Sequence, residues 1–318
     1  MALELRPSQT TRQDHHQFDV VAEGLGRYVV DLSLPPGRAG RDATYPVILV
    51  VDGNLFFDAV ASQVHGGMAR AGTTLPPSIV VGVGYPADEG MAGFYRRRNF
   101  DFHGPWSMTD PLGETLKRIF TALKTAEGKP ELEIHAGGYD RFLGFLRDEL
   151  LPTLASRFPI DLRARHTLIG DSSGGHFALR ALYDPSSPFR RYVAISPGFG
   201  SAERAIERAE AEYAASHSDL DVDLFLCCGT VEVDQNPMSA LCRFGSGVTW
   251  VAEQFAIRQW PSARVQWEVM NNEDHASIAP RAIAAGLRSV HRVRPGVHTA
   301  ELERRDAAMR EALGLRGG

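Results

Sequence analysis

The chain has 318 residues, 43% of them hydrophobic and 23% charged, with a formal net charge of −5. That is enough apolar material for a sizeable core and too little positive charge for a general basic face, so neither nucleic acid nor a membrane surface is an expected partner. No apolar run approaches the roughly 18 residues of a membrane span, and the opening "MALELRPSQTTRQDHHQF" has no apolar signal core, so a cytoplasmic location is expected.

In chain order, "FDVVAEGL" and "RYVVDLSLP" read as strands, and "PPGRAGRDATYP" as the loop before the next one. Residues 47–51 and 79–83 are nearly continuous apolar runs, the pattern of parallel strands covered on both faces, and 55–71 can form the crossover helix between them. Residues 102–138 interrupt the alternation. A helical pattern over 112–125 lies there between loops carrying Trp106, Pro111, Pro130 and Gly137-Gly138, which reads as an inserted lid-like segment or as an ordinary surface excursion. From Tyr139 the residues Phe142, Phe145, Leu146, Leu150 and Leu154 recur at helical spacing. Residues 167–169 form a short strand, and 177–182 continue a helix that Asp184-Pro185 stops. "YVAIS", "DLFLCCG" and "VQWEVM" are further strand candidates, separated by helical patterns over 202–216 and 248–260.

This alternation predicts an α/β fold with a mostly parallel, doubly wound sheet, as a single domain over 1–318 with 102–138 as the insertion and 291–318 as a charged helical tail. In such sheets the site lies at the strands' C-terminal edge. Cys227, Cys228 and Cys242 suit buried thiols better than a disulfide frame, and no spaced Cys/His set is present, so neither a metal nor a cofactor is expected.

Gly170-Asp171-Ser172-Ser173-Gly174 matches G-x-S-x-G between a strand and a helix, the context of a nucleophile elbow. A plain glycine-rich turn fits the same five residues, so the partners decide. A serine hydroxyl needs a general base and the base needs an acid to orient it, in the chain order Ser, Asp or Glu, His for this fold class. His275 follows "VQWEVM" in the polar loop "NNEDHAS", where a base belongs; His166, His176, His291 and His298 are less well placed. For the acid, "DLFLCCGTVEVDQNP" offers Glu232 first and Asp234 second just after a strand, each with a solvated loop charge as its alternative. Asp171, adjacent to the serine, is poorly placed to reach the far side of His275. Oxyanion-binding amides are expected at Ser173, heading the helix, and at Asn54, after the turn Asp52-Gly53.

"VILVVDGN", "PPSIVVGVGYP", "GGYDRFLGFLRDELLPTLASRFPID", "HTLIGDSSGGHFALRAL", "AISPGF" and the late "EDHAS" occur in an order that resembles the α/β-hydrolase esterase family, which includes enterochelin-type siderophore esterases, esterase D, feruloyl esterases and mycolyltransferases. The trilactone siderophore hydrolases look most similar. The resemblance spans about residues 44–286 and implies a carboxylic ester hydrolase with Ser172 as nucleophile, His275 as base and Glu232 as acid, the oxyanion amides again at Asn54 and Ser173. Three features depart from it: Asp171 stands where such members commonly have His, 102–138 is enlarged, and "YRRRNFDF" only loosely matches the family's Arg-and-Asp segment. Arg98 in that segment is a candidate to receive an anionic or catechol-rich substrate, with a surface ion pair to Asp101 as the alternative, and Trp106 is a second candidate substrate contact. His65-Gly66-Gly67 imitates another esterase motif but lies too far beyond its strand.

The expected activity is hydrolysis of a small-molecule ester through an acyl-enzyme. Acyl transfer by the same three residues, and a binding protein that keeps the fold without catalysis, are the alternatives. Siderophore lactones enter only through the resemblance; aryl and short-acyl esters would use the same chemistry. The number of protomers is not legible.

Overall fold

The computed structural model describes residues 14–36, 43–68 and 75–292. The end of the expected crossover helix, the tail after residue 292 and His298 lie outside the described residues. The described residues form an eight-stranded sheet in the order β1-β2-β4-β3-β5-β6-β7-β8. Strands β1 (His15–Ala22) and β2 (Gly26–Ser33) make an antiparallel hairpin that joins β4 (Ile79–Gly84). From β4 onward every pairing is parallel, through β3 (Val47–Val51), β5 (His166–Asp171), β6 (Phe189–Ile195), β7 (Asp223–Gly229) and β8 (Arg264–Met270).

Two apolar layers cover this sheet, and β3 and β4 carry only apolar residues and glycine. In β3, Leu49 and Val51 face one layer while Ile48 and Val50 face the other, the period of two that a strand imposes. The second layer is built on α1 (Gly53–Met68) and a late helix over Ile278–Val290, through Phe57, Val60, Val64, Ile283 and Leu287. The first holds α2 (Gly90–Phe102), α3 (Pro111–Ala126) and α4 (Tyr139–Gly144), which runs through a π-helical stretch, Phe145–Leu150, into α5 (Leu151–Ala155). It also holds α6 (Ser173–Leu182), α7 (Ala205–Ser216) and, after the short α8 (Thr230–Asp234) and α9 (Pro237–Cys242), α10 (Phe244–Arg258). The late helix is α11. Cys227, Cys228 and Cys242 are buried free thiols.

The sheet reverses its direction of growth at β3 and β5. Strand β4 lies to one side of β3, whereas β5, β6, β7 and β8 follow on the other. The crevice beyond the carboxyl ends of such neighbouring strands is where ligands bind in open α/β sheets. Asp52 follows β3 and Ser172 follows β5 at this crevice.

Close packing at the β5–α6 turn explains its glycines. A Cβ on Gly170 would stand 2.1 Å from the Gly174 carbonyl oxygen, and one on Gly175 2.7 Å from that of Ile195. Both obstacles are backbone, which cannot swing aside. Gly170→Ala should therefore lower stability by about 1–3 kcal/mol, the usual cost of overpacking, measured as a shifted denaturant midpoint at unchanged slope. An unchanged midpoint would mean that α6 is free to move away from β5.

Candidate active site

Ser172 sits between β5 and α6 with φ 59° and ψ −118°, a left-handed backbone unfavourable for a residue with a Cβ. The strain is held by the frame: Ser172 N donates to Ile195 O at 2.9 Å, and Ser172 O accepts from His176 N at 2.9 Å and Gly198 N at 3.3 Å. This geometry turns the side chain off the sheet edge into a cavity of about 710 Å³. Its hydroxyl makes no hydrogen bond among the described residues. The N–H of Ser173 heads α6, where no preceding turn supplies a carbonyl to accept it.

His275 reaches the same cavity from the loop between β8 and α11. Its ring stacks on Phe244 at a centroid distance of 4.6 Å and 12° between planes, which fixes its tilt. Its Nδ1 lies 2.6 Å from Glu232 Oε1. Glu232 belongs to α8 and is 2% exposed, and its other oxygen accepts from the Gly229 N–H at 2.6 Å and the Ser196 Oγ–H at 2.7 Å. Three donors thus converge on one buried carboxylate, so Nδ1 carries the proton and Nε2 is left as an acceptor. Burial alone would lower the His275 pKa; the Glu232 hydrogen bond and the charges of Asp171 and Glu232 outweigh it and raise the value above the ordinary 6.5.

Asp234, the second acid candidate, is exposed. Asn54 lies in the first turn of α1; its side-chain Oδ1 accepts from Tyr85 N at 3.4 Å, and Leu55 and Phe56 of the same turn line the cavity. Gly53 lets this turn approach β4, since a Cβ there would lie 2.7 Å from the Gly82 carbonyl carbon.

Arg98 lines the cavity but does not pair with Asp101. Its Nε and Nη2 bind Asp52 at 3.2 and 2.8 Å, and Asp52 is fully buried. The surface ion pair with Asp101, one of the two alternatives read from sequence, does not form because α2 turns Arg98 toward the end of β3, whereas Asp101 turns inward to accept from Tyr28 and Tyr85 at 2.8 and 3.2 Å. Trp106 is 7% exposed, lines the cavity and donates its indole N–H to Asp110 at 2.6 Å. The segment after α2 also contributes Leu112, Leu116, Ile119 and Ile134 to the wall.

Sequence reasoning missed several parts of this wall. His103 and His176 meet ring to ring at 4.5 Å, tilted by 34° and both buried, and burial holds His103 well below its ordinary pKa and His176 down to about 4. These two rings, with Trp106, separate the serine cavity from a neighbouring one of about 620 Å³. The Ser196 contact to Glu232 was also unread; the only signal was its place just after an apolar strand. His166 accepts from Val47 N at 3.0 Å at the opposite edge of the sheet, and His65 lies within α1 near Ser33 Oγ, at 3.2 Å.

A parallel sheet between two helical layers, with a strained serine turn at its switch point, defines an α/β-hydrolase fold. Siderophore hydrolase EstA from Aspergillus nidulans superposes with a TM-score of 0.74 at 21% identity, over 92% of this chain and 99% of that one. A family model described as "Putative esterase" matches residues 128–275. Ferri-bacillibactin esterase BesA of Bacillus subtilis is 26% identical over 259 residues, covering 80% of this chain and 81% of that protein. Siderophore triacetylfusarinine C esterase of Aspergillus fumigatus is 30% identical over 196 residues, 60% of this chain and 58% of that one. The chain is thus similar to esterases of the α/β-hydrolase fold, and these similarities mark it as a carboxylic ester hydrolase. No described helix is long and apolar enough to cross a membrane.

Proposed function

We propose that the chain hydrolyses a carboxylic ester through an acyl-enzyme formed on Ser172, with His275 as general base and Glu232 as the acid that orients it. The observation that carries this reading is the 2.6 Å contact of His275 Nδ1 with the buried Glu232, which leaves Nε2 as an acceptor in the cavity that Ser172 lines. The Ser172 hydroxyl attacks the ester carbonyl as its proton passes to Nε2. The tetrahedral oxyanion is held by the N–H groups of Ser173 and Asn54, and its collapse expels the alcohol, which takes the proton from His275. Water, activated by the same ring, then attacks the acyl carbonyl and releases the acid. Catalytic hydrogen bonds are often unformed before substrate binds, so the free Ser172 hydroxyl is compatible with this sequence of steps.

A siderophore ester is the substrate class we favour, because the relatives named above act on siderophores by name and the cavity of about 710 Å³ admits a bulky acyl arm. Hydrolysis of a trilactone siderophore beside p-nitrophenyl esters of rising acyl length tests it. Release of linear siderophore fragments is the expected result; turnover of the aryl esters alone would leave the mechanism and remove the siderophore.

His275 must be neutral to accept the proton, so kcat/KM should fall as pH drops through its pKa. Because that pKa is raised, the half-point is expected above 6.5. A pH–rate profile with a non-ionising aryl ester reads it directly, and activity that stays level well below this value would remove His275 as the base.

A further inference from the structure

The proposed mechanism uses one buried carboxylate, Glu232, and leaves another beside the nucleophile without a task. Asp171 ends β5, is 8% exposed and lines the Ser172 cavity. Its side chain makes no hydrogen bond or ion pair with the described residues: Oδ1 is shut off from solvent without a partner, and Arg98 Nη2 reaches only the main-chain oxygen, at 3.5 Å. A carboxylate removed from water without a partner is costly, and with Oδ1 enclosed by protein it is Oδ2 that a ligand in the cavity would meet to complete the site.

The groups facing Asp171 do not neutralise it. Asp52, at the end of β3, has already engaged both Nε and Nη2 of Arg98 from α2. His275 directs its Nδ1–H to Glu232 of α8, and Cys227 of β7 is held in its neutral thiol form by burial. Among the residues lining the cavity, Arg98 and Asp171 alone carry formal charge, and Arg98 is spent on a residue outside it. The remaining wall is largely apolar and aromatic, with Phe94, Tyr95, Trp106 and Phe244, and aromatic faces attract cations.

We propose that Asp171 is a specificity-determining residue that pairs with a positive charge on the ester substrate, so that the cavity selects cationic esters over neutral or anionic esters of the same shape. This rests on the ester-hydrolase reading above and narrows the substrate class favoured there to esters that carry a cationic group. Burial, with the charges of Asp52 and Glu232, lifts the Asp171 carboxyl to about 7 against the pull of His275 and Arg98. The preference for a cation should therefore grow as pH rises through neutrality and the carboxylate ionises. Neutral His275 is needed for every ester, so its own titration cancels in a ratio of two substrates.

Two matched pairs of esters test the proposal on the full chain. One is the p-nitrophenyl ester of γ-trimethylammoniobutanoate against its isostere with tert-butyl in place of trimethylammonium; the other is choline butanoate against its tert-butyl isostere. The first pair places the charge on the acyl side, the second on the alcohol side. We expect kcat/KM to favour the cationic member about tenfold in at least one pair, as for a partly desolvated cation held by ionic and cation–π attraction, and the ratio to fall toward unity in Asp171→Asn. Ratios near unity in both pairs, or a cation preference that Asp171→Asn leaves intact, would overturn the proposal while Ser172-dependent hydrolysis of the neutral isosteres upheld the mechanism. Loss of Ser172-dependent hydrolysis of all four would overturn both. Should Asp171→Asn fail to fold, the wild-type ratio from mildly acidic to mildly alkaline pH decides: a rise supports the pairing, and a flat ratio removes it.

Discussion

Ser172→Ala should lower kcat for a p-nitrophenyl ester by about 10⁶-fold, the loss that follows removal of the nucleophile from a triad that acts as a unit. The residue's backbone is unchanged by this substitution, since alanine and serine meet the same cost at φ 59°. The lost oxygen makes no hydrogen bond among the described residues, so no partner is stranded and Tm should move little. What activity remains comes from binding and from the amides of Ser173 and Asn54, which the change leaves in place. Loss of turnover with native Tm is therefore the expected pair of results. Retained turnover would mean that water is activated without a covalent intermediate, or that another residue attacks.

Glu232→Gln should cost about 10⁴-fold in kcat, and the reason lies in hydrogen-bond inventory. The carboxylate accepts from three donors: Gly229 N–H and Ser196 O–H on Oε2, and His275 Nδ1–H on Oε1. An amide has only one oxygen. With that oxygen kept by Gly229 and Ser196, the NH₂ group faces Nδ1, which then becomes an acceptor and moves the ring proton to Nε2. His275 in that tautomer cannot take the Ser172 proton. The variant also loses the negative charge that helps raise the His275 pKa, so the acid limb of the pH–rate profile should move to lower pH. A rate loss with an unmoved acid limb would show that Glu232 acts on the fold rather than on the imidazole. Asp234→Asn, an exposed neighbour, serves as the control.

The parallel core was legible because its strands are apolar on both faces, so residues 47–51 and 79–83 stand out as continuous apolar runs in the sequence. The Ser172 turn was legible because its glycines mark where backbone meets backbone, as at Gly170, whose missing Cβ leaves room for the Gly174 carbonyl. Helix α2 was not. Its buried face mixes Phe94 and Phe102 with Arg97, Asn99 and Asp101, polar groups of which Asn99 and Asp101 reach as far as His135 and Tyr28, so no apolar stripe announces it. With the helix unread, Arg98 could be offered only a substrate or its near neighbour Asp101, whereas its partner Asp52 is 46 positions away. The short helices α8 and α9 escaped for a different reason: five and six residues carry too little periodicity to be seen. Sequence position alone could select Glu232 over Asp234 only weakly, because burial separates them and both follow the same strand within a few residues.

The measurement that bears most directly on the mechanism is intact-mass and peptide mapping after exposure to a fluorophosphonate, with wild type and Ser172→Ala treated side by side. A single phosphonyl adduct on the peptide containing Ser172, formed in the wild type and missing from Ser172→Ala, is the result expected of an activated serine. No adduct on folded wild-type protein, or one carried by a different residue, would contradict a nucleophilic Ser172.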